Sequence, residues 1–218
     1  MTTKENIINA STKYFNQHGF SAVSLNEIAG HLEMTRGNLT YHYKTKDDLL
    51  QAITEVMWQK IAAERAKSRA LPSFENLHNE VQLYYRFQKD YKFIFLDSQV
   101  LVHPMVKPQF REMTKQTVLD NKKAIAFAIS MGNMKPEPFK GAYHNIALLV
   151  WMIAFFWSAQ QIIRGDQSKE DGEALIWSIL LPHFTDKGKK SMTAFFGEDY
   201  LDNLGEAFDT TIDNYISF

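Results

Sequence analysis

Apolar residues recur every three or four positions along most of the chain, and glycine and proline mostly fall between the periodic stretches. That spacing predicts helices rather than many short strands. In residues 4–18, Ile7, Ile8, Ser11, Tyr14 and Phe15 share one face, and Gly19 follows where a helix commonly ends at positive φ. Ser24-Leu25-Asn26-Glu27 has the spacing of a capping box, and Ile28, Ala29 and Leu32 continue an apolar face behind it. Thr35 is a good N-cap for a third helix running to His42 or Tyr43. Helices of about eight residues are unstable alone in water, so the second and third must pack on the first. Three such helices with a short turn between the last two form the outline of a helix-turn-helix.

The remainder predicts a larger helical body. Helices are expected over 46–70, 74–89, 91–102, 109–131, 139–164 and 169–184, the last interrupted by Pro182. Leu71-Pro72-Ser73, His103-Pro104, Gly132 and Gly165 mark their ends, Met134–Pro138 is a loop, and Asp186–Lys190 reads as a turn. The tail, 191–218, is weaker but periodic through Tyr200, Leu201, Leu204, Phe208, Ile212, Tyr215 and Ile216. The expected fold class is all-α with two domains: a helix-turn-helix over 1–46 and a helical body over 47–218.

Composition narrows the function. The 218 residues are 45% hydrophobic, with 16 Phe, 9 Tyr and 4 Trp, enough for a full core. The absence of cysteine excludes disulfides, thiol catalysis and thiolate metal sites. The N-terminus is polar and runs directly into a helical pattern, unlike a signal peptide. The longest apolar run, Ile146–Trp157, is shorter than the roughly 20 residues that span a bilayer. A cytoplasmic protein with no membrane segment is expected. No HExxH, glycine-rich phosphate loop or G-x-S-x-G is present, and the seven histidines are widely separated, so neither enzyme nor metal site nor cofactor is expected.

Net charge is −1, so nothing global points to nucleic acid. Local placement does. Residues 34–46 hold Arg36, His42, Lys44 and Lys46 with no acid, interleaved with hydroxyls and two tyrosines. In a helix-turn-helix the helix after the turn enters the major groove, and flanking polar groups meet phosphate. Thr35 caps this helix and can reach phosphate. Arg36 can fork to guanine or phosphate, and Gly37 lets backbone approach closely. Asn38 and Thr40 can read base edges, Leu39 pins the buried side, and Tyr41 and His42 can contact base, sugar or phosphate. Ser24, Lys44 and Lys46 suit phosphate. A solvated basic surface is the competing reading of the run alone. A helical protein-interaction module, or a ligand-binding protein without specific DNA recognition, is the alternative for the whole chain.

Residues 5–55 resemble the DNA-binding domain of the tetracycline-repressor (TetR/AcrR) family of bacterial transcriptional regulators. The matching positions include Phe15, Gly19, Ile28-Ala29, Thr35, Gly37, Leu39, His42 and Tyr43-x-x-Lys46. Two positions depart from the family's pattern. Glu33 stands where the turn commonly has glycine, and positive φ there costs a larger residue about 1 kcal/mol or more, so a slightly different turn is expected. Thr40 stands where a phosphate-contacting tyrosine is common.

The resemblance implies a phosphate role for Lys46 at the start of a linking helix. It also implies a repressor of palindromic double-stranded DNA, and a homodimer through helices 139–164 and 169–184. A small hydrophobic effector would occupy a pocket below the linking helix. Candidate wall residues are Tyr84 and Phe87; then Phe95, Leu96, Gln99, Val100 and Met105; then Phe110, Met113 and Thr117; then His144, Leu148, Trp151 and Phe155. Gln99, His103 and His144 are the candidate polar anchors. For any one of these residues, ordinary core packing is the competing reading.

Overall fold

The computed structural model describes residues 2–67, 72–164 and 172–206. Helices dominate them: α1 Thr3–His18, α2 Leu25–His31, α3 Arg36–His42, α4 Lys46–Lys67, α5 Phe74–Asp90, α6 Lys92–Leu96, α7 Ser98–Leu101, α8 Lys107–Ser130, α9 Ala142–Arg164, α10 Gly172–Leu180, α11 Asp186–Phe196 and α12 Asp199–Asp202. There is no strand among the described residues; an isolated antiparallel bridge joins Met134 and Phe184. Packing divides the chain into two compact units, Met1–Lys67 with Arg86–Glu112, and Ser68–Tyr85 with Met113–Phe218.

In the first unit, Ile7, Phe15, Ile28, Ala29, Leu39, Leu49, Leu50 and Ile53 are buried from α1, α2, α3 and α4. Each large apolar side chain of this kind contributes about 1.5–3 kcal/mol. The helix starts are fixed by reciprocal caps: Thr2 with Glu5, Ser24 with Glu27, and Thr45 with Asp48. The Ser24 hydroxyl and backbone N–H both bond the Glu27 carboxylate and hold its pKa below the ordinary value.

The expected helix over 91–102 is two helices. Asp97 adopts extended backbone, ends α6, and turns its carboxylate onto the Gln99 N–H to start α7. The turn between α2 and α3 places Glu33 in the left-handed region. That residue takes φ +54, the one non-glycine with positive φ among the described residues. A residue with a Cβ is strained in that conformation.

In the second unit, Ile146, Ala147, Val150 and Ala154 of α9 pack in a core with Ile176, Trp177 and Leu180 of α10 and Met192 of α11. Helix α9 starts at Ala142 rather than 139. Gly141 turns at φ +91, and the Glu137 carboxylate accepts the N–H groups of Gly141 and Tyr143. The charge-free stretch Ala142–Ile163, 22 residues, is long and apolar enough to cross a membrane, so the length argument from the twelve-residue run does not hold.

Helix α10 covers 172–180 and passes into a 3-10 turn at Leu181–His183; 169–171 lie outside the described residues. Asp186–Lys190 is the start of α11 and not a turn. Thr185 caps it, and Gly188 lies so close to the Asn133 carbonyl that a Cβ would fall 2.0 Å from that oxygen. Of the expected tail, 207–218 lie outside the described residues. Among the described residues of this unit one carboxyl group is buried. Glu173 accepts hydrogen bonds from His78 Nδ1, Gln82 Nε2 and Trp177 Nε1, which offset its loss of water.

Positions 33 and 188 make opposite predictions. Glu33→Gly relieves the left-handed backbone and raises stability by about 0.5–1 kcal/mol in urea unfolding. Gly188→Ala drives a methyl group into backbone and lowers it by about 1–3 kcal/mol.

Candidate nucleic-acid interface

Helix α3 is seven residues long, and its one buried residue is Leu39, at 0% exposure. With Leu39 pinned inward, the helical repeat turns Gly37 and Tyr41 to the opposite face, and Thr35, Arg36 and Asn38 in the first turn are exposed as well. Tyr41 is 84% exposed, a large ring presented to solvent, with the His42 ring edge-on at 5.2 Å. Lys44 is also exposed, and Thr40, His42 and Lys46 are half-buried.

The hydroxyls differ in what they have left to offer. Thr35 Oγ1 accepts the Asn38 N–H at 3.1 Å, which leaves the hydroxyl proton available as a donor. Thr40 Oγ1 donates to the Arg36 carbonyl at 2.9 Å, so it meets a partner as an acceptor only. Ser24 is exposed, but its hydroxyl proton goes to Glu27, so a phosphate contact there requires that bond to open.

Lys46 has a structural role that the sequence did not show. Its ammonium donates to the carbonyls of Phe20 and Val23, both at 2.9 Å, and stands 4.4 Å from the centre of the Phe20 ring. Two of its three N–H donors therefore tie the start of α4 to the α1–α2 loop, and one remains for phosphate.

The caps also separate α3 from its neighbours. The starts of α1, α2 and α4 each carry an acid in the first turn: Glu5, Glu27, and Asp47 with Asp48. Helix α3 carries none, because its capping position three residues after Thr35 is Asn38. Among these four helices α3 is the one without an anion in its first turn.

The first unit also shows what Asn16 does, a role that no local pattern revealed. Its Nδ2 donates to the Asp90 carbonyl at 2.8 Å and its Oδ1 accepts the Phe93 N–H at 3.1 Å. The start of α6 has no side-chain cap from Tyr91, so α1 supplies it. Phe93 packs on Phe15 and Phe20, and Ser21 donates to Gln99 Oε1 at 2.9 Å. Gln99 is thus an exposed contact to the α1–α2 loop rather than a pocket anchor. His103 lies 3.6 Å from the Asp47 carboxylate.

The other expected pocket residues divide between the units. Phe95, Val100 and Phe110 are buried in the first. Tyr84, Met113, Thr117 and Phe155 are buried in the second, where the Tyr84 and Thr117 hydroxyls bond each other at 2.8 Å. His144 and Leu148 lie on the exposed side of α9, and Trp151 is half-buried. The structure therefore leaves Gln99, His144 and Leu148 outside any buried wall.

A three-helix head that presents an acid-free, hydroxyl- and amide-bearing helix beyond a tight turn belongs to the class of helix-turn-helix DNA readers. Residues 7–53 match "Bacterial regulatory proteins, tetR family", and residues 57–192 match "Bacterial transcriptional repressor" of the TetR type. The chain belongs to the TetR family of bacterial transcriptional regulators. It is 26% identical over 163 residues to the uncharacterized HTH-type transcriptional regulator YhgD of Bacillus subtilis, covering 72% of this chain and 85% of YhgD. A TetR-family regulator from Marinobacter aquaeolei superposes with a TM-score of 0.79 at 22% identity, over 92% of this chain and 99% of the other. AibR, solved with isovaleryl coenzyme A and operator DNA, shares the fold at a TM-score of 0.61 and 16% identity, over 83% and 97%.

Asn38→Glu tests the missing acid. It completes a capping box on α3 and raises thermal stability slightly, while placing an anion against the groove. Operator binding by gel shift is expected to fall at least a hundredfold in the better-folded protein.

Proposed function

We infer that the chain is a cytoplasmic repressor that binds palindromic DNA as a homodimer and releases it when a small hydrophobic effector enters the helical body. The observation that carries the DNA reading is the exposed face of α3, with Arg36, Asn38 and Tyr41 offered outward and no carboxylate in its first turn. Arg36 and Asn38 are the base readers, Thr35 and Lys44 position the helix on phosphate, and Gly37 permits close approach. Lys46 orients the head and contributes its remaining N–H to phosphate. The AibR complex supports the pairing of operator with effector on this fold.

The dimer reading is supported by α9. Leu148, Leu149, Met152, Phe156 and Ile163 form one exposed apolar stripe, flanked by buried residues of the same helix. Helix α10 has a smaller part than its apolar sequence suggests. Its Ser178 bonds the Leu204 carbonyl, and Tyr200, Leu201 and Leu204 pack against the core that α10 helps to build. Two heads on one dimer then meet half-sites about one helical turn apart.

Gel shifts on DNA from upstream of its own gene test the reader. Arg36→Ala and Asn38→Ala relax the choice of sequence, whereas Lys44→Ala weakens all sites and reduces the salt slope by about one. Equal binding to scrambled DNA by wild type and variants would refute base reading by α3. Phe156→Lys tests the stripe: sedimentation at micromolar concentration shifts from a dimer to the 25.2 kDa chain. A wild type that sediments as the single chain rules out the dimer.

A further inference from the structure

Helix α3 meets base edges with an uneven supply of hydrogen-bonding groups. Residues 34–46 contain no Asp or Glu, so no carboxylate of this segment can accept a hydrogen bond from a base. Arg36 and Lys44 are donors only, and Thr35 has its hydroxyl proton left to give. Acceptors must come from neutral side chains, and the helix itself makes Thr40 one of them. Thr40 Oγ1 donates to the Arg36 carbonyl at 2.9 Å and lies 3.2 Å from the Gly37 carbonyl. Its single proton is held by the backbone, and the oxygen keeps only lone-pair capacity for a further partner.

The neighbours leave that oxygen approachable. On a helix surface, Arg36 and Gly37 are the residues beside Thr40 one turn back. Gly37 has no side chain, and a Cβ built there meets nothing nearer than Thr35 Oγ1 at 3.9 Å, so the space outside Gly37 is open. Thr40 is half-buried, with part of its surface in solvent. An acceptor so placed selects its partner by chemistry. A phosphate oxygen is itself an acceptor, so contact to it would require the Thr40 proton to leave the helix carbonyls. In the major groove guanine presents N7 and O6, and thymine presents O4, all of them acceptors. Adenine N6 and cytosine N4 carry hydrogens to donate. Those two bases complete a hydrogen bond to Thr40 as the helix holds it.

We propose that Thr40 is a specificity-determining residue that selects adenine or cytosine in each half-site, by accepting an amino N–H of the base at Oγ1. The proposal rests on the reading of α3 as the helix in the groove. Arg36 precedes Thr40 by one turn, about 5.4 Å, and successive bases are stacked about 3.4 Å apart. The selected base therefore falls within about two base pairs of the one that Arg36 contacts.

The test lets the full chain select from a library of random duplexes and compares wild type with Thr40→Val and Thr40→Ala. Valine keeps the branched shape and alanine favours the helix; neither has the oxygen. Melting curves run alongside show that the variants are folded. Wild type takes adenine or cytosine at one position of each half-site; the variants lose that preference and keep the others. In the selected duplex this base is then replaced by its analogue without the amino group, purine for adenine or 2-pyrimidinone for cytosine. The replacement costs wild type about fivefold more affinity than it costs the variants. Unchanged preference at every position in the folded variants, guanine or thymine at the position that changes, or an equal analogue penalty in wild type and variants overturns the proposal and leaves α3 as the reader. A wild type that selects no sequence overturns both.

Discussion

Seven residues are too few to keep a helix folded in water, and the reading function depends on two such helices in succession. Everything about the head follows from that constraint. Ile28, Ala29 and Leu39 supply the buried side, and Ser24 and Thr35 close the two N-termini. The start of the next helix is tied back by Lys46 to the loop that precedes them. The exposed side of α3 is free to be polar because buried residues and the end caps hold the helix in place.

The same economy extends past the head. Helix α6 is five residues long and has no cap of its own. Asn16 serves its first turn and the end of α5 together, and Ser21 reaches α7 just beyond. These short helices exist because α1 and its following loop complete them. A displacement of α6 therefore strains bonds that belong to the head, and the aromatic contacts of Phe93 with Phe15 and Phe20 lead from there to the ring beneath Lys46.

Much of this was legible from local rules. Periodicity placed α1, α2 and α3 within a residue or two, because caps and breakers act over three or four positions. It placed Leu39 inward and Tyr41 outward for the same reason. What escaped was decided over long sequence separations. Asp97 splits a helix whose apolar period runs on unbroken, and Thr185 makes a helix start of a polar run that resembles a turn. Lys46 looks like a surface cation until the loop carbonyls are seen beside it. Gln99 and His144 were polar residues among apolar ones, but the faces they occupy point away from the core.

Glu33 has an evolutionary consequence. Glutamate and glycine codons differ at one base, so the strain in its left-handed backbone can be removed by a single mutational step. A lineage that takes the step gains stability it does not need for folding. That surplus tolerates destabilising changes elsewhere in the head, including on α3, where new residues would recognise new operators. The strained turn thus marks where drift in binding preference could begin without any loss of the fold.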